Sequence, residues 1–338
     1  MPMDGVMLGF VARELDSVLR DGRVDRVIQP EKDEIHLLIR AGGANHRLVL
    51  SAAASAARAH LSSHAKTGPM EPPMLCMLLR KYLCGGRVLS VRRVAGDRIL
   101  EMDISNLSEL GDPVTRTLIV EIMGRHSNII LRASDGRIID AARHVGQDIS
   151  RVRQVMPGLP YAYPPSQGKL DPDTADSASI AAALSAAGGK LDKAIGASIA
   201  GFSPQAAREA AARMGLDGSS LVADIDVQQT SNALEAYLRA MPALSPCVVT
   251  LDDTDAPTDV FPFPQTHLSM DHVKTFDSPS AALDAYFYER DRRDRLNQRS
   301  ASLAHTLKNH IERCEKKIAI QNEALESAAR MEEYRQNG

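Results

Sequence analysis

Val6, Phe10, Val11, Leu15 and Val18 recur at helical spacing, so the chain is predicted to open with a helix from Gly5 to Leu19, closed by Asp21-Gly22. The period then changes. Val24 to Pro30, Glu34 to Arg40 and His46 to Leu50 are short apolar-rich runs parted by turn residues, Gly42-Gly43-Ala44-Asn45 among them, and read as an antiparallel meander. Pro72-Pro73 introduces a second amphipathic helix, Met74 to Leu83, which stops at Gly85-Gly86. Strand-like runs resume at Val88 to Val94, Ile99 to Ile104, Arg116 to Ile122, Asn128 to Arg132 and Ile138 to Ala142, with a hairpin turn at Asp135-Gly136. Residues 1–170 are therefore expected to form one α+β domain.

Pro157, Pro160, Pro164 and Pro165 read as a rigid extended exit and a domain boundary. Residues 178–240 are Ala-rich and helical. Within them Leu191 to Ala200, Gly201-Phe202-Ser203-Pro204 and Gln205 to Met214 read as helix, tight hairpin, helix, with Ser203 as N-cap and Pro204 as the first helical residue. Such a helix-hairpin-helix unit either presents its second helix's amides to a phosphate, with Ser203 a candidate contact, or is a purely structural pair. Residues 241–278 return to strand-like patterning and are expected to pack on the first domain. From Pro279 there is no proline, and no glycine until Gly338, which permits a helix of about 85 Å. Leu303, Leu307, Ile311, Cys314, Ile318, Gln321, Leu325 and Ala328 alternate steps of three and four, the seam of a coiled coil. That seam needs a partner strand, so residues 279–338 read as the start of a coiled-coil arm, Gly338 as an imposed end, and self-association as one way to cover the seam.

Charge adds a contrast that the overall −3 hides: residues 1–165 carry a net +4, residues 166–278 a net −8, and residues 279–338 a net +1. The basic character sits where a phosphate-binding face would lie. No apolar run long enough to span a membrane exists and no secretory signal stands at the N-terminus, so a cytoplasmic location is expected. Cys76, Cys84, Cys247 and Cys314 form no CxxC pair, which speaks against a zinc site or disulfide framework, and no motif calls for a cofactor.

Two constellations carry candidate chemistry. Gly96-Asp97-Arg98 lies in a turn near Arg92 and Arg93, candidate phosphate contacts; an Asp beside an Arg can read a base edge or bridge phosphates, or can be a surface ion pair. Glu121-Ile122-Met123-Gly124-Arg125-His126-Ser127-Asn128 is the densest polar cluster. A histidine can serve as acid or base near neutral pH, yet no nucleophile or second carboxylate accompanies His126, so no catalytic residue is assigned and the chain is not expected to be an enzyme. Pro2 raises a glycosylase alternative through a secondary-amine nucleophile, of the Fpg/MutM type. Met3-Asp4 in place of a glutamate, and the lack of paired CxxC motifs, argue against it.

Met3-Asp4-Gly5, Pro72 to Leu83, Gly96-Asp97-Arg98, Glu121 to Asn128, and Met156-Pro157-Gly158 through Tyr163-Pro164-Pro165 together resemble the NFACT family, in the family's order and over essentially the whole chain. The resemblance implies an NFACT-N domain related in fold to the Fpg/MutM N-terminal domain, a helix-hairpin-helix domain and a coiled-coil arm, with the rest of the arm and a C-terminal NFACT-R domain absent. It also implies a role in ribosome quality control. The whole protein would bind a large ribosomal subunit obstructed by peptidyl-tRNA and recruit alanyl-tRNA for C-terminal alanine tailing, peptidyl transfer itself belonging to the ribosome. By the same resemblance Asp97 and Arg98 are required for tailing, and Glu121, Ile122, Met123, Arg125, His126 and Asn128 face the tRNA anticodon arm. An older label, fibronectin-binding protein A-like, implies the rival reading of an adhesion or protein-interaction module.

Overall fold

Asp4 starts the first helix, α1 (Gly5–Leu19): its Oδ1 accepts from Met7 N at 2.9 Å, where a helix's first amides lack partners. In the computed structural model, which describes residues 2–165 and 167–336, α1 leads into β1 (Arg23–Glu31), β2 (Glu34–Ala41), β3 (Ala44–Ser51) and β4 (Arg58–Leu61). The pattern then repeats as α2 (Met74–Leu83) followed by β5 (Arg87–Arg93), β6 (Ile99–Leu107), β7 (Pro113–Glu121), β8 (Asn128–Arg132) and β9 (Ile138–Ala141). The nine strands form one antiparallel sheet in the order β4-β3-β2-β1-β5-β6-β7-β8-β9. The two meanders join through one register pair, Arg23 with Arg87, extended by Val24 N to Gly86 O at 2.9 Å and Val88 N to Gly22 O at 2.8 Å.

Apolar stripes of both helices share a core with the inner face of this sheet, Leu8, Val11 and Leu15 of α1 and Leu79 and Leu83 of α2 all lying in it. The helices α3 (Ser177–Ala187), α4 (Leu191–Ser198), α5 (Pro204–Arg213) and α6 (Val227–Ala240) build a second core that takes in Val6 and Phe10 of α1. Residues Gly5 to Ala12 are consequently buried all round. A small sheet of β10 (Cys247–Leu251), β11 (Pro257–Phe261) and β12 (Val273–Phe276) turns Cys247, Val249 and Val260 into the first core. The fold is mixed α+β, dominated by a large antiparallel sheet. No helix among the described residues is long and apolar enough to cross a membrane.

Two local expectations differ from this arrangement. Strand β4, not expected from the sequence, is four residues long; its Ala59 and Leu61 join the main core, while Arg58 and His60 on the other face are buried by groups distant in sequence: Arg58 lies against Glu34 and over the Phe287 ring. The proline-rich segment is also not an exit. It returns across the sheet, with Tyr161 N donating to Gly136 O at 2.9 Å and Ile138 N to Leu159 O at 2.8 Å.

The last helix, α7 (Pro279–Gln336), contributes its first turns, to Phe287, to the same compact unit as the sheet. There Asp284 accepts from Ser63 N at 2.9 Å and from Ser62 Oγ at 2.5 Å, while Leu283 and Phe287 enter the main core. The second unit, from Tyr288, is by itself helical, and its Leu303, Leu307, Ile311, Ile318 and Leu325 are exposed. Gly338 lies outside the described residues.

His60 stacks on Phe287, and burial together with the Arg58 charge pushes its imidazole down from 6.5 to about 4. A depressed folded-state value means that the neutral ring favours the fold. Its contribution is present above pH 6.5 and lost as pH falls through 4, on the order of 3 kcal/mol in all. Denaturant titrations at pH 7 and pH 4 are expected to show that loss for the native chain, and a smaller one for His60→Phe. Equal pH dependence of the two chains would remove His60 as the cause.

Candidate nucleic-acid interface

Three glycines bring distant segments into backbone contact. Gly5 N donates to Gly201 O at 2.8 Å, and a Cβ on Gly5 would stand 2.4 Å from Gly201 Cα and 2.7 Å from Gly96 O. Gly201 has φ +74° and Gly96 φ +70°, the left-handed region that glycine enters without a steric penalty. The β5–β6 turn bearing Asp97 and Arg98 is thereby seated against the start of α1 and the α4–α5 turn. Asp4 and Ser203 cap one helix each and also bond to each other, Ser203 Oγ donating to Asp4 Oδ2 at 2.6 Å. Burial raises the Asp4 carboxyl above its ordinary range despite that bond.

The two predicted segments are neighbours. Ile122 N donates to Arg98 O at 2.8 Å, joining the Asp97-Arg98 turn to the start of the 121–128 segment. Asp97 is half-buried, its Oδ1 accepting from Arg98 N at 2.7 Å, and it lines a cleft of about 270 Å³ with Ala95, Tyr163, Lys169, Asp171 and Ala200. Beyond Met123, which is half-buried, a single 3-10 turn, Gly124–His126, exposes the side chains of Arg125 and His126.

Burial corrects several expected contacts. Glu121 is about 1% exposed and accepts from Arg153 Nη1 at 2.9 Å and from the Tyr161 hydroxyl at 2.9 Å, so its oxygens are engaged within the protein. Burial, reinforced by the Glu121 charge, pushes the Tyr161 hydroxyl up, which keeps it a donor. Ile122 is in the main core. Asn128 is buried too, giving Nδ2 to Arg143 O at 2.8 Å and taking Arg143 N on Oδ1 at 2.9 Å. These three residues are buried and shape the loop from beneath.

The phosphate candidates are likewise engaged. Arg92 lies between the carboxylates of Glu101 and Asp103. Arg93 is buried, donating to Gly5 O at 2.7 Å and to Asp173 at 2.6 Å. At the start of α5 the buried Asp4 carboxylate already occupies the side of Ser203, an unfavourable neighbour for a phosphate.

Sequence reasoning missed Arg143 and Arg153. Arg143 donates to Arg125 O, Asp33 Oδ2 and Ala52 O, each at 2.9 Å, and so ties the exposed turn to the opposite half of the sheet. No periodic signal marks either arginine, because their partners are set by how the sheet curls.

The model of the NFACT N-terminal and middle domains matches residues 4–338. The chain is 34% identical over 339 residues to the Rqc2 homolog RqcH of Bacillus subtilis (strain 168), covering 100% of this chain and 58% of that protein. It is 33% identical over 341 residues to the Rqc2 homolog RqcH of Streptococcus suis (strain 05ZYH33), covering 100% and 57%. The chain thus spans less than two thirds of these relatives' length. Among solved structures, the N-terminal part of the fibronectin/fibrinogen-binding protein from Streptococcus suis aligns with a TM-score of 0.70 at 32% identity, over 84% of this chain and 98% of that one. The fibrinogen binding protein from Staphylococcus aureus aligns at 0.71 and 29%, over 85% and 99%.

Proposed function

The chain belongs to the NFACT family, and from that premise we propose that it is the tRNA-handling part of a cytoplasmic ribosome quality-control factor. In this reading the whole protein engages the obstructed large ribosomal subunit with its peptidyl-tRNA and recruits alanyl-tRNA for alanine tailing. The chain performs no catalytic step of its own. The α4–α5 pair acts as a helix-hairpin-helix unit, and residues 288–336 as the first strand of a coiled-coil arm. The observation that supports the reading is the 2.8 Å bond from Ile122 N to Arg98 O, which brings the Asp97-Arg98 turn beside the segment that leads to the exposed Arg125 and His126. Guanidinium groups beside an acceptor and an imidazole suit phosphates and the exposed base edges of an RNA loop.

Binding of the full chain to an alanine-accepting tRNA and to an unrelated tRNA at two salt concentrations tests this. Arg98→Glu is expected to weaken binding at least about tenfold and to lower the log–log salt slope by about 1. Unchanged affinity and slope would exclude Arg98 from the interface. The likeness to fibronectin- and fibrinogen-binding proteins favours a second reading, a protein-adhesion module. There, immobilised fibronectin would capture the chain, Arg98→Glu would not matter, and truncation after Phe287, which keeps the compact unit, would abolish capture.

A further inference from the structure

We propose that the turn between Val145 and Val155 is a second RNA contact, in which Ile149 and Val152 pack against the faces of unstacked bases while Arg151 pairs with the adjoining phosphate. The inference rests on the tRNA reading above and extends it to residues that reading does not include.

The turn is built, not frayed. Val145 and Val155 exchange both backbone hydrogen bonds at 2.9 Å, and Val155 is buried in a cluster with Ile99, Ile119 and Ile130. Ser150 N donates to Gly146 O at 3.0 Å, and Ser150 Oγ accepts from Arg153 N at 3.2 Å. Arg153 in turn anchors one leg of the turn to Glu121. On this fixed base Ile149 is 67% and Val152 78% exposed, with Arg151 exposed between them. Single exposed aliphatics are ordinary on protein surfaces, but a rigidly held pair flanking a cation is a contact shape.

The neighbourhood selects the partner. Met123 and Val145 pack against the same buried cluster, and Arg143, two residues before Val145, donates to Arg125 O at 2.9 Å, so the start of this turn lies beside the one that exposes Arg125 and His126. Apart from the engaged Arg153, the charged side chains of the turn are Arg151 and Asp148, both exposed, with the Asp148 carboxylate beside the Gly146 leg, 2.5 Å from where a Cβ there would stand. Ile149, Arg151 and Val152 together offer two apolar surfaces around a cation, which matches unstacked bases joined by a phosphate.

The two kinds of contact respond differently to salt, and this makes the test specific. Phosphate pairing releases counterions and sets the salt slope; packing on a base does not. The full chain would be titrated with an alanine-accepting tRNA transcript at two salt concentrations, comparing native protein with Ile149→Ser/Val152→Ser, Arg151→Ala and Arg98→Glu. The double variant is expected to bind about tenfold more weakly at both salts with an unchanged slope. Arg151→Ala is expected to lower the slope by about 1. Melting curves superimposable on the native one would show that exposed positions were altered without unfolding. If the double variant binds like native protein while Arg98→Glu is weakened, the turn lies outside the interface and the tRNA reading survives. If native protein fails to bind, the tRNA reading fails and this inference with it.

Discussion

Glu121→Gln is expected to lower the melting temperature by on the order of 10 °C while leaving the RNA affinity of the folded chain close to native. The carboxylate is buried, receives two guanidinium bonds from Arg153 and one from the Tyr161 hydroxyl, and no part of it reaches the surface. Removing one charge of a buried pair strands the other, which costs about 3–5 kcal/mol. In a unit of this size each kcal/mol moves the midpoint by about 2–4 °C. Differential scanning calorimetry beside an RNA titration separates the two roles that the sequence leaves open for this residue. A native melting temperature with a large loss of affinity would mean that Glu121 meets the ligand after all, and that the segment 145–163 moves away to let it.

Gly201→Ala is expected to destabilise the chain by at least about 3 kcal/mol, far more than Gly43→Ala. Both glycines have positive φ, +74° and +81°, so both substitutions carry a left-handed penalty of about 1 kcal/mol. Around Gly43 there is open space. At Gly201 the new methyl would stand 2.2 Å from Gly96 O and 2.8 Å from Gly5 Cα, and backbone atoms cannot rotate out of its way. The junction would have to open, carrying the Asp97-Arg98 turn with it, so RNA affinity should fall together with stability. Denaturant midpoints for the two variants measure the difference. Equal losses would mean that the three-way contact is not a fixed feature of the fold.

Local chemistry explains which elements were legible in advance. The bounds of α1 and α2 follow from apolar stripes that end at Asp21-Gly22 and Gly85-Gly86, and the Ser203-Pro204 start of α5 follows from its cap. The meanders are readable because inward and outward residues alternate with period two. Strand β4 escaped because four residues are too short a run for alternation to stand out, and because Arg58 and His60, polar in sequence, are buried only through distant partners. The candidate site is legible as a set of turns: Asp97, Arg98, Arg125 and His126 stand out as polar groups there, and turns lie at the surface. Glu121 and Asn128 carry the same kind of polar side chain, yet they are buried, and nothing local distinguishes them.

By itself the sequence determined the alternation of helices and strands, the caps, the basic bias of the first half and the motifs shared with the NFACT family, since each of these rests on residues within a few positions of one another. Tertiary structure alone decided which polar residues are structural and which face outward. Arg93 with Asp173, Glu121 with Arg153, Ser203 with Asp4 and Arg143 with Asp33 are paired across 80, 32, 199 and 110 positions. A buried charge or hydroxyl is tolerated only where a partner meets it, and the meeting is arranged by sheet curvature and by a backbone contact at three glycines, neither of which leaves a period in the chain.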